Sequence, residues 1–157
     1  MLMRTYVLLF TLTLTAAVAA DHPALGGMWV LDPSHSEIGV SKIKSATLSI
    51  NQQPEAVDLS ETVTGADGKE ITSEISCNTA GETCKIKDHG QVEVSFWYNG
   101  SMLVMSEMRH GHDWIVKRRL KPSDDGHTLT IEVIHLAPTQ ETETLTFTRR
   151  AAKSGGA

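Results

Sequence analysis

Gly26-Gly27-Met28-Trp29-Val30-Leu31-Asp32-Pro33 decides the reading of this chain. It sets a Gly27-x-Trp29 on the first strand of a sequence that otherwise reads as consecutive hairpins. From Lys44 onward one unit repeats, a run of about eight to ten residues alternating apolar and polar and then a turn, and a period of two is the strand signal. Ala46, Leu48 and Ile50 alternate with Thr47, Ser49 and Asn51 before Gln53-Pro54-Glu55 turns the chain. Val57, Leu59 and Val63 carry the next run to the Gly65-Ala66-Asp67-Gly68 turn. Ile71, Ile75 and Cys77 share a face of the third; Cys84, Ile86, Val92, Val94, Phe96 and Tyr98 follow, with Gly90 a point where that stretch can kink. Tyr98-Asn99-Gly100-Ser101 is the strongest hairpin signal, because Asn-Gly tolerates the two positive φ angles of a type I′ turn. Asn99-Gly100-Ser101 is formally a glycosylation sequon as well, but the tight turn already explains it. Runs over 102–109, 114–120, 127–136 and 142–149 follow, separated by polar and Gly/Pro-containing turns.

Even spacing, short turns and no helical period between strands predict an all-β fold, an antiparallel up-and-down meander of eight or nine strands closed into a barrel. Parallel crossovers need about a dozen residues or more each, and the connections are too short for them. An open two-sheet sandwich is the alternative; closure is preferred because it removes exposed strand edges. Residues 32–43 are irregular and are expected to cover one mouth, and residues 151–157 read as a disordered tail.

The Gly27-x-Trp29 opening resembles the first-strand signature of the lipocalin superfamily. The longer string Gly27-Met28-Trp29-Val30-Leu31-Asp32-Pro33-Ser34-His35-Ser36 is similar to the Gly-Thr-Trp-x-Leu-Asn-Pro-x-x-Ser opening of small secreted bacterial lipocalin-like proteins. The resemblance spans Leu25 to about Arg150, and its specific parts are this motif and the strand rhythm. It implies a lipocalin-like barrel with Trp29 as its floor and a basic side chain near the end of the last strand packed across the indole. Leu145, Phe147 and Arg149 share one face, so with that face inward the basic residue is Arg149, adding cation–π attraction of about 0.5–2 kcal/mol to ring burial. The sequence lacks the middle lipocalin motifs and an obvious C-terminal helix.

Residues 1–20 read as a cleavable secretory signal, with Arg4, an apolar run from Tyr6 through Val18 and small residues at its end. Thr11, Thr13 and Thr15 interrupt the run, which falls short of the roughly 20 apolar residues of a membrane span. The mature chain is therefore expected not to insert in a membrane; an uncleaved anchor is the alternative. Cleavage after Ala19 or Ala20 leaves a periplasmic or secreted protein whose barrel domain covers 21–150. What remains suffices for one domain burying about two-thirds of its unfolded surface. Losing Arg4 moves the formal charge from −5 to −6. An acidic chain is a poor partner for nucleic acid, where affinity comes from Lys and Arg neutralising phosphates.

Cys77 and Cys84 close a short turn, and an even pair in an oxidising compartment reads as a disulfide, contributing about 2 kcal/mol. Zinc would need four ligands, and no second pair supplies them. Cleavage after Ala19 would make Ala20-Asp21-His22 the terminus, whose amine, two amides and imidazole can hold Cu(II) or Ni(II) in a square plane. The plain alternative is a flexible end with no metal.

Nucleophilic catalysis needs a nucleophile, a base and an orienting acid converging on a pocket. His35, His89, His110, His112 and His127 sit in turns, and the chain has no phosphate-cradling glycine loop or cofactor motif. It is expected not to be an enzyme and to carry no cofactor; a lipocalin-like isomerase is the distant alternative. His110-Gly111-His112 could present two imidazoles, but a third ligand is missing and turns ordinarily hold polar residues, so no metal is assigned. In Trp114-Ile115-Val116-Lys117-Arg118-Arg119-Leu120, alternation puts Arg118 with Trp114, Val116 and Leu120. Arg118 either receives a ligand carboxylate or pairs with an acid such as Glu107 or Glu93.

The run over 102–108 is apolar on both faces in its first half, and methionine adapts to irregular cavities. The inward faces are read as offering Phe96, Met102, Val104 and Leu129, with Arg118 as the only cation among these runs. These five are the ligand-binding candidates, for an apolar molecule with at most one acidic head. A barrel of this size holds either packed side chains or one small ligand. Two functions follow: an exported module binding a small apolar molecule, or a filled-core structural or protein-interaction domain.

Overall fold

The computed structural model describes residues 22–86, 92–109, 111 and 114–151. The signal segment and its cleavage point, Ala20 and Asp21, His89 and Gly90, the His110 and His112 pair, and residues 152–157 lie outside the described residues. The strands are β1 (Gly27–Leu31), β2 (Ile43–Gln52), β3 (Ala56–Gly65), β4 (Glu70–Asn78), β5 (Ala80–Lys85), β6 (Val92–Asn99), β7 (Met102–Arg109), β8 (Trp114–Pro122), β9 (Thr128–Ala137) and β10 (Glu141–Arg149). They form one antiparallel sheet in the order β4-β3-β2-β1-β10-β9-β8-β7-β6-β5. This is a meander, and it wraps into a nearly closed barrel because β1 joins β2 on one side and β10 on the other. Trp29 lies opposite Leu48 in one ladder and Arg149 in the other.

Ten strands exceed the eight or nine expected. Apolar alternation runs through Cys84, Ile86, Val92 and Val94 and hides a chain reversal. Cys84 instead lies opposite Val94, and Lys85 opposite Glu93. The seam of the barrel lies between β4 and β5, which share no ladder among the described residues. Only Thr79 separates them. There the Ala80 N–H donates to Asn78 Oδ1 at 3.1 Å and Gly81 takes a φ of +83°, a left-handed conformation that glycine adopts without a Cβ penalty. A Cys77–Cys84 disulfide with Cα atoms 5.8 Å apart ties the two strands where no backbone ladder does.

The hairpin after Tyr98 also differs from expectation in detail. Asn99 lies opposite Met102, so the two turn residues are Gly100 and Ser101, and of these only Gly100 has positive φ, +57°. That is the glycine-first pattern of a type II′ turn. Asn99 is the last strand residue.

The closed end is packed by Leu25, Trp29, Phe96, Leu103, Leu120, Leu129 and Phe147, each essentially without solvent exposure. Trp29 Nε1 donates to the Leu25 carbonyl at 2.9 Å, which satisfies the polar atom of an otherwise apolar side chain. The Arg149 guanidinium lies 4.1 Å from the centroid of that indole. Its Nε donates to the Gly126 carbonyl at 2.6 Å, its Nη1 to that of Gly26 and its Nη2 to that of Ala24 at 3.2 Å. Gly27 has a φ of +130°, and a Cβ there would stand 2.6 Å from Arg149 Nη1. The glycine two before the tryptophan thus leaves the space in which the guanidinium stacks.

Candidate functional site

Above this packed floor the inner face does not fill. A cavity of about 530 Å3 opens among Ile43, Val63, Val116, Ile131, Val133, Leu145 and Phe147, with Val40, Ile71 and Trp114 also in its wall. Its size lies within the range of about 300–1,000 Å3 usual for small-molecule sites. The segment 32–43 edges the mouth. A 3-10 turn over Pro33–His35 is capped by the Asp32 side chain, Glu37 bridges to Thr144, and Val40, Ser41 and Ile43 line the cavity. A second concavity, of about 570 Å3, lies outside the apolar interior among turn residues such as Pro54, Glu55 and Thr79; there the His22 ring stacks on Tyr98 with centroids 3.8 Å apart.

Two polar groups sit in the cavity wall. In the first, Arg118 Nη1 donates to Glu61 Oε2 at 2.8 Å and Arg118 Nε lies 3.1 Å from Glu107 Oε1, without a hydrogen aimed well enough to count as a bond. Desolvation alone would lower the affinity of this guanidinium for its proton. The charges of Glu107, then Glu61, with Glu143 adding to them, outweigh it and hold the pKa above its ordinary value. Glu61, Glu107 and Arg118 also wall a smaller cavity of about 80 Å3 towards Ile75, Ile86 and Val92.

In the second group, Glu143 has no exposed side-chain surface. Its Oε1 accepts the backbone N–H groups of Gly39 at 2.9 Å and Ser41 at 2.7 Å. A Cβ at position 39 would meet Glu141 Oε1 at 2.7 Å and Glu143 Oε1 at 3.1 Å, so a glycine lets the mouth segment close over the carboxylate. Glu143 Oε2 stands 3.8 Å from His135 Nε2.

Of the five ligand candidates read from sequence, only Arg118 lines the interior cavity of about 530 Å3. Phe96 and Leu129 face inward but belong to the packed floor. Met102 and Val104 face outward, which corrects their assignment. Leu103, Met105 and Glu107 are the inward residues of β7, opposite Leu120, Arg118 and Val116. A run apolar on both faces carries no phase of its own, and a shift of one residue turns every side chain over. Val104 is nonetheless buried, with Trp97 and Arg119 as its register partners outside the barrel.

The polar members Glu61, Glu143 and His135 escaped the sequence reading although their signal was present. Each continues an apolar alternation, after Val57 and Leu59, before Leu145 and Phe147, and after Ile131 and Val133. Like Arg118, each of the three is a polar residue on an apolar face.

No protein-family model matches the sequence, and no curated protein does. Among solved structures, the fold is similar to the fatty-acid-binding protein 1 of Echinococcus granulosus, with 13% identity over 82% of this chain and 98% of that one and a TM-score of 0.60. It is similar too to a secretary abundant heat soluble (SAHS) protein from Ramazzottius varieornatus, with 8% identity over 83% of this chain and 98% of that one and a TM-score of 0.61. A third is the zebrafish ileal bile acid-binding protein complexed with cholic acid, with 14% identity over 82% of this chain and 100% of that one and a TM-score of 0.53. At such identities the likeness shows the fold alone. The chain has the β-barrel fold of fatty-acid-binding and lipocalin-like proteins.

Proposed function

We propose that the chain is an exported binding module that holds one small apolar molecule inside its barrel. The observation that carries this reading is the cavity of about 530 Å3, walled by aliphatic side chains and Phe147 above a floor that is already packed. A fold whose purpose is only to be a filled core has no reason to leave such a volume, since empty apolar space costs about 24 cal/mol per Å3. The solved neighbours named for fatty-acid and bile-acid binding support the reading by analogy of fold, which is an associational warrant. Export rests on the composition of residues 1–20 and is supported by the Cys77–Cys84 disulfide, a bond that persists in oxidising compartments.

Purified protein should carry or take up an apolar molecule. Solvent extraction followed by mass spectrometry, and titration with an uncharged fluorescent dye, measure this. Val133→Trp, which takes up part of the cavity, should weaken dye uptake without loss of folding. Empty protein that takes up no dye would overturn the reading in favour of a filled-core structural or interaction domain.

A further inference from the structure

Among the described residues, four buried side-chain polar atoms have no hydrogen-bond partner: Ser41 Oγ, Arg118 Nε, His135 Nε2 and Glu143 Oε2. All four belong to residues lining the interior cavity of about 530 Å3. Buried polar groups are ordinarily satisfied, so a cluster of exceptions around one cavity points to something that the cavity receives. Three of the four atoms can accept: a hydroxyl oxygen, a carboxylate oxygen and, in the neutral ring, an imidazole nitrogen. The fourth belongs to a guanidinium already set between Glu61 and Glu107 at 2.8 and 3.1 Å. The cavity wall carries the carboxylates of Glu61 and Glu143 against one guanidinium, and that guanidinium is already flanked by Glu107 on its other side. A ligand carboxylate would add a further acid and would have to draw Arg118 away from its two partners.

Glu143 Oε2 is the best-defined of the unpartnered acceptors. The other oxygen of that carboxylate is filled by the Gly39 and Ser41 N–H groups, which fixes the direction in which Oε2 points. Its separation from His135 Nε2, 3.8 Å, is too long for a direct hydrogen bond and short enough for one donor nitrogen to reach both.

We propose that the ligand carries a basic amine head, a protonated ammonium seated against Glu143 Oε2 with His135 Nε2 and Ser41 Oγ as further acceptors. Its apolar body then lies against Ile131, Val133, Leu145 and Phe147. The proposal rests on the cavity being a ligand site and names the class of molecule it takes. The head is a cation, and acids of the same chain length are excluded by charge.

The test is displacement of an uncharged fluorescent dye from the full mature chain by dodecylamine, dodecanol and lauric acid, each below its critical micelle concentration. The three share one tail, so only the head differs. Dodecylamine should compete about tenfold or more better than the alcohol, the gain expected of one charge-assisted hydrogen bond, and lauric acid should be the weakest. Glu143→Gln should bring the amine-to-alcohol ratio close to one. Because Glu143 also anchors the mouth segment, His135→Leu is the second variant, and it should lower the same ratio.

Lauric acid competing as well as or better than the amine overturns the proposal and leaves the binding reading standing. An amine preference unchanged in both variants overturns it too. A dye that never enters the protein is a different result, and it removes the binding reading itself.

Discussion

Arg118→Met tests whether the guanidinium in the cavity wall is what compensates the two carboxylates beside it. The substitution keeps most of the side-chain volume and strands Glu61 and Glu107 opposite an uncharged thioether. Removing one partner of a buried pair costs about 3–5 kcal/mol, chiefly because the remaining charge stays desolvated. Here Arg118 retains 21% of its side-chain exposure and each carboxylate 11%, so residual solvation sets the cost at the lower end, about 3 kcal/mol. For a domain of this length each kcal/mol moves Tm by roughly 3–4 °C, which puts the shift near 10 °C. A companion variant carrying Glu61→Leu, Glu107→Leu and Arg118→Met removes all three charges together and should recover to within about 1 kcal/mol of the parent, because no charge is left stranded. Urea unfolding followed by tryptophan fluorescence measures both, with an unchanged m-value as the sign that stability alone has moved. A single variant costing under 1 kcal/mol, or a triple variant as unstable as the single, refutes the reasoning.

Four shorter predictions accompany it. Trp29→Ala should cost about 3–5 kcal/mol in chemical denaturation, the range for deleting a large buried aromatic; less than 1 kcal/mol would show that the stack with Arg149 holds nothing. Gly27→Ala should cost about 1–3 kcal/mol, since its φ of +130° and the nearby Arg149 Nη1 both resist a Cβ; a neutral thermal melt would contradict this. Thiol labelling of unreduced, unfolded protein should find no free cysteine, and Cys77→Ser with Cys84→Ser should lower stability by about 2 kcal/mol.

Asp58 is held below its ordinary value of 3.8 by the Ser76 hydroxyl, then by Asn51 and Gln53. Asp125 is held low by the Ser123 hydroxyl and the His127 N–H. Their contribution is therefore complete above 3.8 and is lost as pH falls through the lower folded values. Asp58→Asn should flatten the acid limb of a stability–pH curve below that point, and a curve unchanged there would remove Asp58 as a contributor.

Strand positions and the barrel were legible because a period of two survives wherever one face is buried and the other wet. Leu48, Val57, Leu59 and Leu145 show this well. Legibility failed where that contrast vanished. Residues 102–105 are apolar on both faces, so Met102 and Val104 were placed inside although Val104 is covered from outside, beside Trp97 and Arg119. The reversal between β5 and β6 was hidden because Cys84, Ile86, Val92 and Val94 continue one alternation across it. The cavity was invisible for another reason. Whether Val116 or Ile131 touches a neighbour or empty space depends on the barrel's girth, which no local pattern encodes. Only polar residues on apolar faces announce the site: Arg118, and by the same sign Glu61, His135 and Glu143.

The ladder between the first and last strands has a kinetic consequence. Arg149 bonds to Gly26, 123 residues away in sequence, and a loop of that length costs about 4 kcal/mol in closure entropy beyond a constant. Every other ladder joins neighbours along the chain and can form as a local hairpin. Zipping β1 to β10 is thus the step of greatest sequence separation, the kind that slows folding in sheet proteins. Until it happens the outer edges of both strands stand unpaired, Trp29 lacks its guanidinium cover, and the intermediate is an open sheet able to pair with another copy of itself. A chain cut before Glu141 never leaves that stage, so loss of the last nine-residue strand should yield aggregates rather than a smaller, looser barrel.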